Sequence, residues 1–231
     1  MKMKARMRTC QSLTLVFVLT LLFTGCASTK QARNVEPSGF LGDYSKLREG
    51  GKDEALLVYR NPHADISRFN KIIMEPVQIW PARDSDLNDS PEREVQRLIS
   101  LLHSELLINL REDWEIVNEP GADVLRIRVA ITEADKASVA LNMISTVFPI
   151  GRIISEGKNL ASGTHSFVGA ASVEAEISNA ATGEVLWAGV DRRVGGKTVR
   201  GSASKWSDVR EAFKFWSRRL TERLRAARSG S

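Results

Sequence analysis

The chain has 231 residues, 33 Lys and Arg against 28 Asp and Glu, and only two Cys. Five Trp and eight Phe supply bulky core material, which excludes a wholly disordered chain. Most of the formal net charge of +5 sits at the front. Taking Lys2, Lys4, Arg6 and Arg8 from the 33 basic residues leaves 29 against 28 acids, which gives no ground for nucleic-acid binding.

Those four basic residues precede an apolar run from Leu13 to Phe23, broken by Thr14 and Thr20 and closed by Thr24-Gly25-Cys26. A basic segment, a short apolar run and a small-residue cut site predict an export signal over residues 1–25. The run is too short to span a bilayer, which takes roughly 20 residues. Leu22-Phe23-Thr24-Gly25-Cys26 resembles the lipobox of bacterial lipoproteins, with Phe23 where Leu is usual. The resemblance implies cleavage between Gly25 and Cys26 and acylation of Cys26, so that the lipid bilayer is a partner of the mature chain. Ala27, standing where Asp would retain a lipoprotein at the inner membrane, implies the periplasmic face of the outer membrane. Cys10 lies within the signal, so Cys26 is the one mature thiol and lipidation consumes it. A disulfide within the chain, thiol catalysis and a cysteine metal site are excluded together.

Residues 26–39 are polar and small and read as a flexible tether. Residues 40–228 are expected to form a single periplasmic α+β domain. The Gly-rich segment 40–53 is expected to lie over its surface, pinned by Phe40, Leu41, Tyr44 and Leu47, and 55–59 to be a short strand. The first clear strand is 71–80, in which Pro76 demands an edge or a bulge. Ser90-Pro91-Glu92 starts a helix with Ser90 as N-cap, and Val95, Leu98, Ile99, Leu102, Leu106 and Leu110 form its apolar stripe. Residues 123–132 alternate, with Leu125, Ile127, Val129 and Ile131 on one face. Residues 168–177 alternate likewise, Glu174 and Glu176 being assigned to a solvated face. The turn 179–183 then makes a hairpin with 184–192. A last helix, 205–227, has Trp206, Val209, Phe213, Trp216, Leu220 and Leu224 on its apolar side, and its arginines on a charged outer face. The pattern predicts an antiparallel sheet with two amphipathic helices packed on one face.

Five stretches carry a resemblance over most of the mature chain: SGFLGDYSKL, VYRNPHADISRFNKIIMEPVQIW, PGADVLRIRVAITEAD, SNAATGEVLWAGVDRR and the helix start Trp206-Ser207-Asp208-Val209. In this order they resemble the bacterial lipoprotein family of domain of unknown function 3313. The resemblance implies an anchored periplasmic protein and supplies no activity.

Candidate chemistry is sparse. His63, His103 and His165 have no second His at metal spacing, and Gly163-Thr164-His165-Ser166 lacks the pattern of a nucleophile elbow. Gly196-Lys197-Thr198 lacks the earlier Gly of a phosphate loop, since Asp191 stands in its place. No catalytic residue, metal or cofactor is therefore expected. The apolar stretch 138–154, interrupted by Pro149 and Gly151, is read as a buried connection or as an exposed contact. In the second reading Val147, Phe148 and Ile150 serve self-association or an envelope partner. The sequence favours a membrane-anchored lipoprotein with a binding, scaffolding or assembly role. An oligomeric secretion or pore component using 138–154 is the alternative, and a periplasmic hydrolase the remoter one.

Overall fold

The computed structural model describes residues 29–83, 85–135, 169–195 and 206–230. Their strands are β1 (Thr29–Gln31), β2 (Arg48–Glu49), β3 (Leu57–Arg60), β4 (Lys71–Met74), β5 (Gln78–Ile79), β6 (Glu115–Ile116), β7 (Val124–Asp135), β8 (Ala170–Asn179) and β9 (Val185–Gly195). The helices are α1 (Glu92–Leu110) and α2 (Ser207–Ser229). One sheet runs β2-β3-β9-β8-β7-β4-β6, with β1 also paired to β9 and β5 to β7.

The fold is α+β and the sheet mostly antiparallel, as the alternation predicts, with one correction. β4 pairs parallel with both β7 and β6, and β5 pairs parallel with β7. A strand whose chain returns through α1 enters the sheet in the same direction, as any helical crossover allows. Residues 71–80 are also not one strand. Pro76 has no N–H to give a ladder, and pairing stops between Met74 and Gln78.

The β8–β9 hairpin forms where expected, for a local reason. The Asn179 side chain accepts from the N–H of Ala181 at 2.9 Å, and Gly183 turns the chain at φ 75. α1 begins one residue later than predicted. Ser90 instead gives its hydroxyl to the Asp86 carbonyl at 2.8 Å, and Pro91 stands at the N-cap. α2 ends on Gly230 in the left-handed conformation, φ 71, whose N–H returns to the Ala226 carbonyl.

Leu98, Leu102, Leu106 and Leu110 of α1 and Val209, Phe213 and Leu224 of α2 share one core with Leu125, Ile127, Val129 and Ile131 of β7. Asn109 donates to the Ser217 hydroxyl at 3.3 Å, and Arg225 to Asp113 at 2.9 Å, tying the helices side by side. The segment expected to be a tether is partly structured. β1 pairs in register with β9, Thr29 opposite Gly195, and Thr29 and Ala32 are buried. Backbone pairing, which polarity of side chains does not report, holds it there.

Candidate functional site

Between the sheet and the helices α1 and α2 lies a cavity of about 670 Å³. Part of its lining is apolar: Leu102 and Leu106 of α1, Val129 of β7, and Val173 and Ile177 of β8. The space exists because Ala175 and Gly189 stand in register between larger neighbours. A Cβ on Gly189 would meet the Trp187 ring at 2.5 Å, so the missing side chain lets the indole lie along the wall.

The rim is polar. Asp191 of β9 accepts the Trp216 indole N–H at 2.7 Å and the Gln31 amide at 2.7 Å, joining α2 and β1 to the sheet. Burial raises its pKa against the lowering effect of these donors. Arg193, also buried, donates to the Thr29 carbonyl at 2.7 Å and lies 3.5 Å from the centre of the Phe215 ring.

Three further arginines line the cavity: Arg60 of β3 and Arg219 and Arg223, one helical turn apart on α2. Arg60 pairs with Glu54 at 2.9 Å, and Arg219 with Asp53 at 3.7 Å. Asp53, at φ 67, turns its backbone carbonyl so that it accepts from both Arg219 and Arg223. Arg223 makes no ion pair among the described residues. Burial, then repulsion from Arg219 and Arg60, lowers its pKa. The Arg219 Nε is buried and has no hydrogen-bond partner among the described residues. The sequence pattern of α2 assigns Arg219 and Arg223 to an outer charged face. In the fold Arg219 and Arg223 are half-buried, while Arg210, Lys214 and Arg218 are exposed.

The opposite side of the sheet holds a second polar cluster. Glu174 is wholly buried, which corrects its assignment to a solvated face. The segment 38–44 crosses over it. Ser38 N–H and the Tyr44 hydroxyl each donate to its carboxylate at 2.5 Å. Burial and that hydrogen bond push Tyr44 up to about 12. Glu176, its side chain 14% exposed, pairs with Arg128 at 3.3 Å, and Arg128 lies over the Phe40 ring. Alternation signals which residues share a face; it carries no signal that a loop will return to cover that face.

Further along, Arg192 holds Glu133 through two hydrogen bonds, and Ser172 donates to Glu133 at 2.6 Å. Burial opposes ionisation of Glu133, but the bonds from Arg192, Asp135 and Ser172 outweigh it and lower the pKa. Asp135 is pushed the other way, to about 8, by burial and by Glu133.

His63 is exposed in a turn, its backbone N–H bonded to Asn61, and His103 is half-buried on α1. Gly25, Cys26, Val147, Phe148, Ile150, His165 and the stretch 196–198 lie outside the described residues. Among the described residues no group of His, Cys, Asp and Glu is placed to hold a metal ion, and no helix is long and apolar enough to cross a membrane.

A mostly antiparallel sheet sharing one core with two helices, with a cavity opening beside α2, is the class of fold. The chain belongs to the family described as protein of unknown function DUF3313, whose model matches residues 36–220. Among curated protein sequences none matches. A PelC dodecamer from Paraburkholderia phytofirmans is similar over 71% of this chain and 96% of that chain, at 13% identity and a TM-score of 0.38. A DUF4136 family protein from Bacteroides thetaiotaomicron is similar over 72% and 95%, at 15% identity and a TM-score of 0.38. Likeness at this level carries no functional argument.

Proposed function

We propose that this protein is a lipid-anchored periplasmic lipoprotein that binds a ligand in its cavity and catalyses no reaction on it. The observation that carries the reading is the cavity of about 670 Å³ beside α2, within the size of a small-molecule site, roughly 300–1,000 Å³. Both helices are read as covering the same side of the sheet, so that the cavity lies between layers. Among the described residues the nearest approach to acid–base chemistry is the Glu133, Asp135 and Ser172 cluster on the opposite side. Arg192 holds Glu133 ionised, which makes it a poor base for the Ser172 hydroxyl.

The anchor rests on the signal and Cys26, and Ala27 supports the outer membrane. Two or more acyl chains give stable attachment, each buried CH₂ contributing about 0.8 kcal/mol. The test is metabolic labelling with palmitate and membrane fractionation of the wild type and Cys26→Ala. Loss of label and of membrane retention in the variant is expected; unchanged labelling overturns the anchor. Assembly through Val147, Phe148 and Ile150 is the second reading, favoured by the apolar composition of 138–154. Sizing of wild type against Val147→Asp tests it, a smaller species in the variant being the expected result.

A further inference from the structure

We propose that the cavity binds an acyl chain that ends in an anionic head, the chain lying against Leu106, Val129, Val173 and Ile177 and the head meeting Arg219 and Arg223. The inference deepens the binding role proposed above and rests on it. Two independent features of the site point to this chemistry. Much of the lining is apolar, with Leu106, Val129, Val173 and Ile177 beside the Trp187 ring, contacts that recognise a hydrocarbon by area and not by hydrogen bonds. Three guanidinium groups, those of Arg60, Arg219 and Arg223, also line the cavity, and the first two repel the third. Arg223 has a backbone carbonyl as acceptor and no ion pair among the described residues, and Arg219 Nε is buried without an acceptor. Arg219 pairs with Asp53 and Glu222, and Asp53 and Glu54 are the acidic groups whose charge favours that of Arg223. What the site leaves open is the buried Arg219 Nε and the part of the Arg223 guanidinium not bonded to the Asp53 carbonyl. A carboxylate or phosphate oxygen there supplies an acceptor and further charge.

Position agrees with a membrane source. Arg193 lines the cavity and holds the Thr29 carbonyl. Two residues, Ala27 and Ser28, separate Thr29 from Cys26, and the three Cα steps between them span at most about 11 Å. An acylated Cys26 thus keeps Thr29, and with it the Arg193 edge of the cavity that Thr29 holds, close to the anchoring point.

The experiment uses the full lipoprotein in phosphatidylcholine vesicles, with protein-free vesicles as the blank. The probe is cis-parinaric acid, read by energy transfer from Trp187 and Trp216, both of which line the cavity. Saturable binding of one probe per chain is expected. Ala175→Phe, which fills the cavity, should weaken binding at least tenfold while leaving the melting temperature equal or higher; Ala175→Leu serves if the larger ring prevents folding. Arg219→Gln with Arg223→Gln should weaken the acid at least fivefold more than its methyl ester. Displacement by oleate identifies a free acid as the ligand, and displacement by phosphatidylglycerol a membrane phospholipid. Unchanged binding in a folded Ala175 variant, or equal loss of acid and ester in the arginine variant, overturns the proposal. The two readings fail separately: palmitate labelling of Cys26 reports the anchor, and the Ala175 variants report the cavity.

Discussion

The indole N–H of Trp216 reaches the carboxylate of Asp191 across 2.7 Å, and through that one bond α2 is fastened to β9 at the edge of the cavity. The same carboxylate accepts from Gln31 and from the Leu56 backbone N–H at 3.3 Å. One buried acid therefore collects donors from β1, from the lead-in to β3 and from α2. Asp191→Ala orphans all three. A loss on the order of 3 kcal/mol is expected, since each buried unsatisfied donor costs about 1–3 kcal/mol and exposed ones less. Urea unfolding measures it; a midpoint equal to wild type would show that the carboxylate does not join these elements.

Tyr44 and Glu174 make the corresponding fastening on the other side of the sheet. The Tyr44 oxygen also accepts from the N–H groups of Gly39 at 2.8 Å and Leu41 at 3.2 Å, so one phenol organises the turn and pins it to β8. Tyr44→Phe is expected to cost about 2 kcal/mol and to expose 38–47 to limited proteolysis. Equal cleavage rates in variant and wild type would count against a pinned segment.

These two fastenings mark where the sequence is legible and where it is not. Helix stripes, the β8–β9 hairpin and the face shared by Leu125, Ile127, Val129 and Ile131 follow from periodicity, because packing against one core imposes it. The burial of Glu174 does not follow, since alternation assigns a polar residue to the outer face and says nothing of a loop crossing that face. Parallel entry of β4 is a matter of long-range topology, invisible in a window of ten residues. The strand at Thr29–Gln31 rests on backbone pairing to β9, so its polar composition reads as tether. Arg219 and Arg223 share the charged character of Arg218 in sequence. Only the packing angle of α2 turns them toward the cavity.

Asp135 gives the stability of the fold a pH dependence of definite sign. Its carboxyl lies at about 8 in the folded chain, against 3.8 ordinarily. Between those values the folded state holds a proton that the unfolded state has lost, so stability falls as pH rises through the window and levels off above it. Glu133, shifted down from 4.5, has its full contribution in place above that value and does not oppose the trend. Asp191 and Asp208, both raised by burial, act in the same direction. Thermal unfolding is expected to show lower stability at about pH 8.5 than at about pH 5.5, by ~2 kcal/mol. Asp135→Asn should shrink the difference without removing it. A variant with the wild-type slope would assign the dependence to other groups.

Gly195 and Asp208 meet where β9 ends and α2 begins, and the contact explains both residue types. Asp208, in the first turn of α2, accepts the Gly169 N–H at 3.1 Å and so ties the helix start to the residue preceding β8. A Cβ at position 195 would stand 2.3 Å from the Asp208 Oδ2 and 2.4 Å from its Cγ. Gly195→Ala must therefore displace the carboxylate that holds Gly169. A loss of about 1–3 kcal/mol is expected from overpacking alone. Asp208→Ala removes the obstacle along with the hydrogen bond, so Gly195→Ala should cost far less in that background. Urea unfolding of the four proteins yields the coupling, expected at ~1–2 kcal/mol for residues in contact. Additive losses within error would show that the alanine at 195 acts through something other than the Asp208 carboxylate.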